Sequence, residues 1–208
     1  MKTLLLLLSL VASAMAGLSL NANDPEDKCG GLPCAKNYRY IEDCATAIRD
    51  QITRELDASI TYLAAGAHFA QDNVNRPGIS DMFFDHAGEE RGHAFKLADY
   101  LLMRGDHNTN YLQARYSSKP LKDTWKTGIE ALTDALNIEK AVTRHFTNMI
   151  KVCELDWHAA DWLTAEMLDE QHKGVREFTG HITTLRKMQL LQPNLAEYMF
   201  DQELQSDH

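Results

Sequence analysis

Apolar side chains recur along most of this chain in alternating steps of three and four residues, the spacing that lines one face of an α-helix. The pattern predicts four long helices at roughly 41–70, 78–105, 124–153 and 156–187, then a short fifth near 194–203. The punctuation agrees with these spans. Asn75-Arg76-Pro77-Gly78 makes the first turn, Gly105-Asp106 stops the second helix, and Pro193 helps to start the fifth. No strand-like run competes, and there is no internal repeat or low-complexity tract.

Connection lengths carry the topology. Helices one and two are joined by a short turn, as are three and four, so each pair is antiparallel. Residues 106–123 form a long loop containing Tyr111, Tyr116 and Pro120. Each long helix spans about 40 Å at 1.5 Å per residue. An extended loop of this length crosses that distance at about 3.3 Å per residue. The expected fold is all-α, a bundle running up, down, long crossover, down, up, with a short fifth helix.

Each core stripe carries a Glu or Gln among its apolar positions. Helix one reads Ile48, Ile52, Glu55, Ser59, Tyr62, Gly66, Phe69, and helix two Phe83, Ala87, Glu90, Ala94, Leu97, Leu101, with His93 beside Glu90. Helix three reads Trp125, Ile129, Leu132, Leu136, Glu139, Thr143, Phe146, Ile150. Helix four reads Trp157, Asp161, Thr164, Leu168, Gln171, Val175, Phe178, Ile182. Glu55 lies about fourteen residues from the start of its helix, Glu90 about twelve from the end, and Glu139 and Gln171 about fifteen from their starts, so all four converge near 20 Å, the bundle midpoint.

Three carboxylates sharing a buried layer repel one another, and each buried charge costs several kcal/mol unless compensated. The stripes hold no Lys or Arg to pair with them. Two divalent cations would offset the charge. Carboxylate and imidazole donors with a nearby Tyr62 suit iron or manganese better than a thiolate-seeking metal. Glu90 and His93 sit one turn apart on one face, as two ligands of one ion must. A lone Glu-x-x-His arises by chance, and a lone core tyrosine is common. The convergence of four helices at one height carries the argument.

Composition changes the picture at the N-terminus. The chain has 208 residues. It begins with Lys2, the apolar run Leu4 to Leu8, Leu10-Val11 and the A-x-A site Ala14-Met15-Ala16, the layout of a secretory signal peptide over residues 1–16. Residues 17–40 read as an arm rich in Gly, Pro and Asn, and 41–208 as the helical domain. Secretion places Cys29, Cys34, Cys44 and Cys153 in an oxidising compartment, where four cysteines allow three pairings. No Asn-x-Ser/Thr sequon occurs. The formal net charge of −9 argues against nucleic acid or an anionic membrane as partner, though an acidic balance also serves plain solubility.

The segments RELDASITYLAAGAHF, GEERGHAFKLADYLLMRG, ALNIEKAV and LDEQHKG resemble the ferritin family, most closely its secreted arthropod heavy-chain type, over about 41–203. The resemblance implies a ferroxidase, oxidising Fe(II) to Fe(III) with O2 for storage in a shell cavity. It implies that Glu55, Glu90 and His93 hold the first iron and that Glu90 bridges. Glu139 with Glu90 would hold the second iron, Gln171 would position water or O2, and Tyr62 would support the site by hydrogen bonding. Helix four offers Gln171 and Gly174 where related di-iron enzymes place a second Glu-x-x-His motif, which implies a transient di-iron pair with one weakly held ion.

The family assembles 24-subunit shells, here expected with a light-type partner subunit. Asp161 matches a channel-lining position, while Thr164 stands where many ferritins have Glu. Glu89 remains of the mineral-nucleating acids, with Gly92 and Phe95 at the neighbouring positions. In such a bundle the start of helix one and the end of helix three lie at the same end, so a Cys44–Cys153 disulfide is expected. Cys29 and Cys34 are left to pair with each other or with a partner subunit. A non-catalytic storage subunit and a secreted four-helix signalling protein are the competing readings.

Overall fold

The computed structural model describes residues 41–108, 110 and 119–206, with the backbone of 28–29 and 32–33. The expected signal peptide, most of the arm and the pairing of Cys29 and Cys34 lie outside the described residues. Within the arm, β1 (Lys28–Cys29) and β2 (Leu32–Pro33) pair antiparallel, with Lys28 opposite Pro33 and Cys29 opposite Leu32. Two residues per strand are too few to show a period-two pattern, so the sequence does not announce this ribbon.

The helical domain is built from α1 (Glu42–Ala70), α2 (Pro77–Met103), α3 (Gly128–Val152), α4 (Trp157–Leu163), α5 (Asp169–Leu191) and α6 (Ala196–Ser206). A π-helical turn, Thr164–Leu168, joins α4 to α5 into one long fourth helix. Helix α1 ends at a tight turn in which Asn75 takes a left-handed φ of 52°, and Pro77 opens α2. Gly105, at φ 80°, lets the chain leave α2. Helix α3 begins at 128 rather than near 124, because the Thr127 hydroxyl accepts from the Glu130 amide at 3.3 Å and fixes the cap there.

Side-chain contacts establish the expected order of directions. The Cys44–Cys153 disulfide joins the start of α1 to the end of α3, so these two run antiparallel. Gly128 lies beside Ile79, which brings the starts of α2 and α3 together and makes them parallel. Tyr100, at the end of α2, stacks on Trp162 of α4 with ring centroids 4.3 Å apart, so α2 opposes the fourth helix. The end of the crossover lies along α1, where the Leu121 amide donates to Thr61 Oγ1 and the Trp125 amide to His68 Nε2. Helix α6 packs on the base of α2: Asp201 accepts from the Ile79 amide at 2.9 Å. Gly78 permits that approach, since a Cβ there would collide with the Asp201 carbonyl oxygen.

The apolar core falls into two parts. One gathers Tyr62, Phe69, Phe83, Leu132, Phe178 and Phe200, and the other Ile48, Ile52, Leu97, Leu101, Phe146 and Leu163. On each helix the switch between the parts falls at the residue that interrupts the stripe: Glu55, Glu90, Glu139 or Gln171. The polar layer therefore lies between two oily halves.

The expected stripe of the fourth helix needs one correction. Trp157, Asp161 and Thr164 are exposed, and the buried positions there are Ala159, Leu163 and Met167. The π turn is the reason. It adds a residue to one turn, so Ala159, Leu163, Met167 and Gln171 stay in line at steps of four, whereas an ideal α-helix drifts off such a row. Among the described residues, no helix is long and apolar enough to cross a membrane.

Candidate metal centre

Each long helix delivers one buried polar side chain to mid-bundle. Glu55 of α1 is 0% exposed, Glu90 of α2 and Glu139 of α3 are 3%, and Gln171 of α5 is 1%. His93, one turn after Glu90, is partly exposed. Glu55, Glu90 and His93 each offer a ligand atom, and these atoms lie within 4.8 Å of one another. Among the described residues this is the one such group of three. Tyr62 donates to Glu139 Oε1 at 2.6 Å. All six residues read from the sequence as candidates thus meet in one layer.

The layer is short of compensating charge. Apart from one another, the carboxylates have Gln51, His93 and Tyr62 as side-chain partners, and none of these is Lys or Arg. Burial pushes Glu55 well above the ordinary carboxyl range, and the nearby Glu90 adds to this. Glu139 is raised to about 7, by burial first and by the Glu90 charge second. Burial acts on Glu90 in the same sense, but Glu55 and His93 overcome it and hold Glu90 below its ordinary value. Tyr62 is pushed well above its ordinary value by burial and by the charges of Glu139 and Glu90. The metal-free layer thus keeps Glu90 ionised while its neighbours retain protons. Glu55 Oε2 and Gln171 Oε1 are buried without a hydrogen-bond partner among the described residues. Such orphaned oxygens suit a cation, and their donor set of carboxylate, imidazole and amide fits iron.

The layer opens sideways. A cleft of about 780 Å³ between α2, α3 and α5 is lined by Glu90, His93, Glu139, Gln171 and Gly174 among others. Gly174 gives Glu139 room, since a Cβ there would lie 3.1 Å from Glu139 Oε2. Glu89, Gly92 and Phe95 line the same cleft, together with Asp99, Glu170 and Glu177. Asp161 and Thr164 are exposed on the fourth helix, away from this layer.

Sequence reasoning passed over several residues that shape the site. Gln51 Nε2 donates to Glu55 Oε1 at 2.8 Å. His93 Nε2 lies 3.1 Å from Glu170 Oε2, while its Nδ1 is 3.4 Å from Glu90 Oε2, so the ring is held from both sides. His86 packs on Phe178 and pairs with Glu89 and Glu177. Burial opposes its charge, but those carboxylates raise it to about 10. Spacing was the available signal: Gln51 precedes Glu55 by one turn, His86 precedes Glu90 by one turn, and Glu170 adjoins Gln171.

A four-helix bundle with one long crossover and a buried carboxylate layer at mid-height belongs to the class that carries metal centres between its helices. A match to the ferritin-like domain spans residues 45–188. The chain is 45% identical to a ferritin heavy chain of Trichoplusia ni over 166 residues, covering 77% of this chain and 79% of that one. It is 38% identical to the ferritin heavy chain of Drosophila melanogaster over 205 residues, covering 96% and 97%. Among solved structures, the crystal structure of Trichoplusia ni secreted ferritin superposes with a TM-score of 0.79 at 40% identity, covering 88% of this chain and 98% of that one. The chain belongs to the ferritin family.

Proposed function

We propose that this chain is the ferroxidase subunit of a secreted iron-storage ferritin. The observation that carries the reading is the convergence of Glu55, Glu90, Glu139 and Gln171, all buried, on one layer with His93 and Tyr62. Glu55, Glu90 and His93 hold the first Fe(II). Glu90 also reaches the second, which Glu139 shares and Gln171 helps to orient. Tyr62 fixes the Glu139 carboxylate by its hydrogen bond. Two Fe(II) held together each give up one electron, and O2 takes both, leaving with two protons as hydrogen peroxide. Binding two dications displaces the protons that Glu55 and Glu139 retain in the metal-free layer, and the preorganised carboxylates favour the Fe(III) product.

The second position has few donors, because Gln171 is neutral and Gly174 supplies none. Iron held there leaves readily as Fe(III), which suits delivery to a mineral rather than a resident cofactor. The relatives support assembly into a shell of the family's 24-subunit kind. Gly92 and Phe95 bring no acid to the positions beside Glu89, and mineral growth is assigned to a light-type partner subunit. Signal-peptide layout and the similarity to a secreted ferritin support the secretory pathway. The test is stopped-flow oxidation of Fe(II) by the purified assembly carrying Glu90→Gln with His93→Ala. Fast oxidation is expected to vanish while size-exclusion chromatography still shows a large shell. Unchanged rates would sink the assignment.

A further inference from the structure

Gln51 is 2% exposed, stands one turn before Glu55 on α1, and donates from Nε2 to Glu55 Oε1 at 2.8 Å. The other carboxylate oxygen, Oε2, is buried and accepts from no N–H or O–H donor among the described residues, while the Glu55 carboxyl faces that of Glu90. The two oxygens of one ligand are therefore unequal before any metal arrives.

The hydrogen bond also comes from a different side. Gln51 floors a cleft of about 250 Å³ between α1 and α3, together with Asp50, Arg54, His145 and Asn148. Glu90, His93, Glu139 and Gln171 line the separate cleft on α2, α3 and α5. A glutamate with both oxygens free can chelate, bridge or swing between ions. With Oε1 accepting from Gln51, Oε2 is the oxygen with the greater freedom to bind a cation. An amide serves this purpose without adding charge: a glutamate here would put a fourth carboxylate in the layer, and a lysine would set a competing cation beside the metal.

We propose that Gln51 is a positioning residue that makes Glu55 a monodentate ligand, holding Oε1 back and presenting Oε2 to the first cation. The inference deepens the ferroxidase reading above and rests on it.

The test uses Co(II) as a spectroscopic probe in the purified assembly, comparing the parent with Gln51→Met, which keeps the volume and removes the donor. Weakening of the tighter Co(II) site by about tenfold is expected, the lower end of the range for outer partners of metal ligands. The visible absorption per bound Co(II) is also expected to fall, as Glu55 becomes free to chelate with both oxygens and raises the coordination number. Gln51→Leu, which also removes the donor, is expected to lose the same feature. A merely structural role would lower the melting temperature of these variants and leave affinity and spectrum of the assembled fraction at parent values, and that result overturns the proposal. Glu90→Gln in parallel separates the two ideas. If it leaves Co(II) binding untouched, the centre itself is misplaced. If it abolishes binding while Gln51→Met does not, only the role of Gln51 fails.

Discussion

Glu139→Gln isolates the electrostatic cost of the metal-free layer. In the folded protein Glu139 holds its proton up to about pH 7, against an ordinary value of 4.5. Below pH 4.5 the carboxyl is protonated whether the chain is folded or not. As the pH rises from 4.5 to about 7, the unfolded chain loses that proton and the folded chain keeps it. The folded state then binds more protons, so stability falls with rising pH across this window and levels off above it. At 1.36 kcal/mol per pH unit the window amounts to on the order of 3 kcal/mol. Glutamine imitates the neutral carboxyl, still accepts from Tyr62, and cannot ionise. Thermal unfolding of metal-free parent and variant, followed from pH 4.5 to 8, is the assay. The parent is expected to lose about 6–12 °C relative to the variant over that range, at about 2–4 °C per kcal/mol for a chain of this size. Saturating Zn(II) above pH 7 is expected to restore the parent and do less for the variant. Parallel pH curves for the two metal-free proteins would refute the reasoning, because the burial of an ionised Glu139 would then cost nothing.

Two further changes probe the scaffold around the layer. Gly174→Ala places a methyl 3.1 Å from Glu139 Oε2 and gains about 1 kcal/mol of helix propensity, so its melting temperature is expected to change little while the weaker of two Co(II) sites loses affinity several-fold by titration. Replacing both Cys44 and Cys153 by Ala removes a crosslink between residues 109 apart in sequence, and chemical denaturation is expected to show a loss of about 4–5 kcal/mol on the chain-entropy account; a loss below 1 kcal/mol would mean that the bundle already confines these ends in the unfolded ensemble.

The pattern of the chain was enough for the bundle and for most of the layer. Helical periodicity is local, and a glutamate in an apolar stripe is visible because water, not a neighbouring helix, would ordinarily claim it. Counting rise per residue then places Glu55, Glu90, Glu139 and Gln171 at one height without any knowledge of packing. The Cys44–Cys153 pairing followed once the helix directions were in hand. Tertiary structure decided what periodicity cannot encode. The π turn at Thr164–Leu168 moved Trp157, Asp161 and Thr164 out of the core, since one extra residue in a turn leaves no mark on composition. The start of α3 was set by the Thr127 cap, not by the apolar stripe that extends back to Trp125. Which hydroxyl meets which carboxylate, as Tyr62 of α1 meets Glu139 of α3, depends on packing between helices. Sequence determined that carboxylates would meet at mid-bundle, because helical rise is the same in every protein. Only packing decided how deeply they are buried and which side chains meet across the layer, because a contact such as Tyr62 with Glu139 joins residues far apart in the chain.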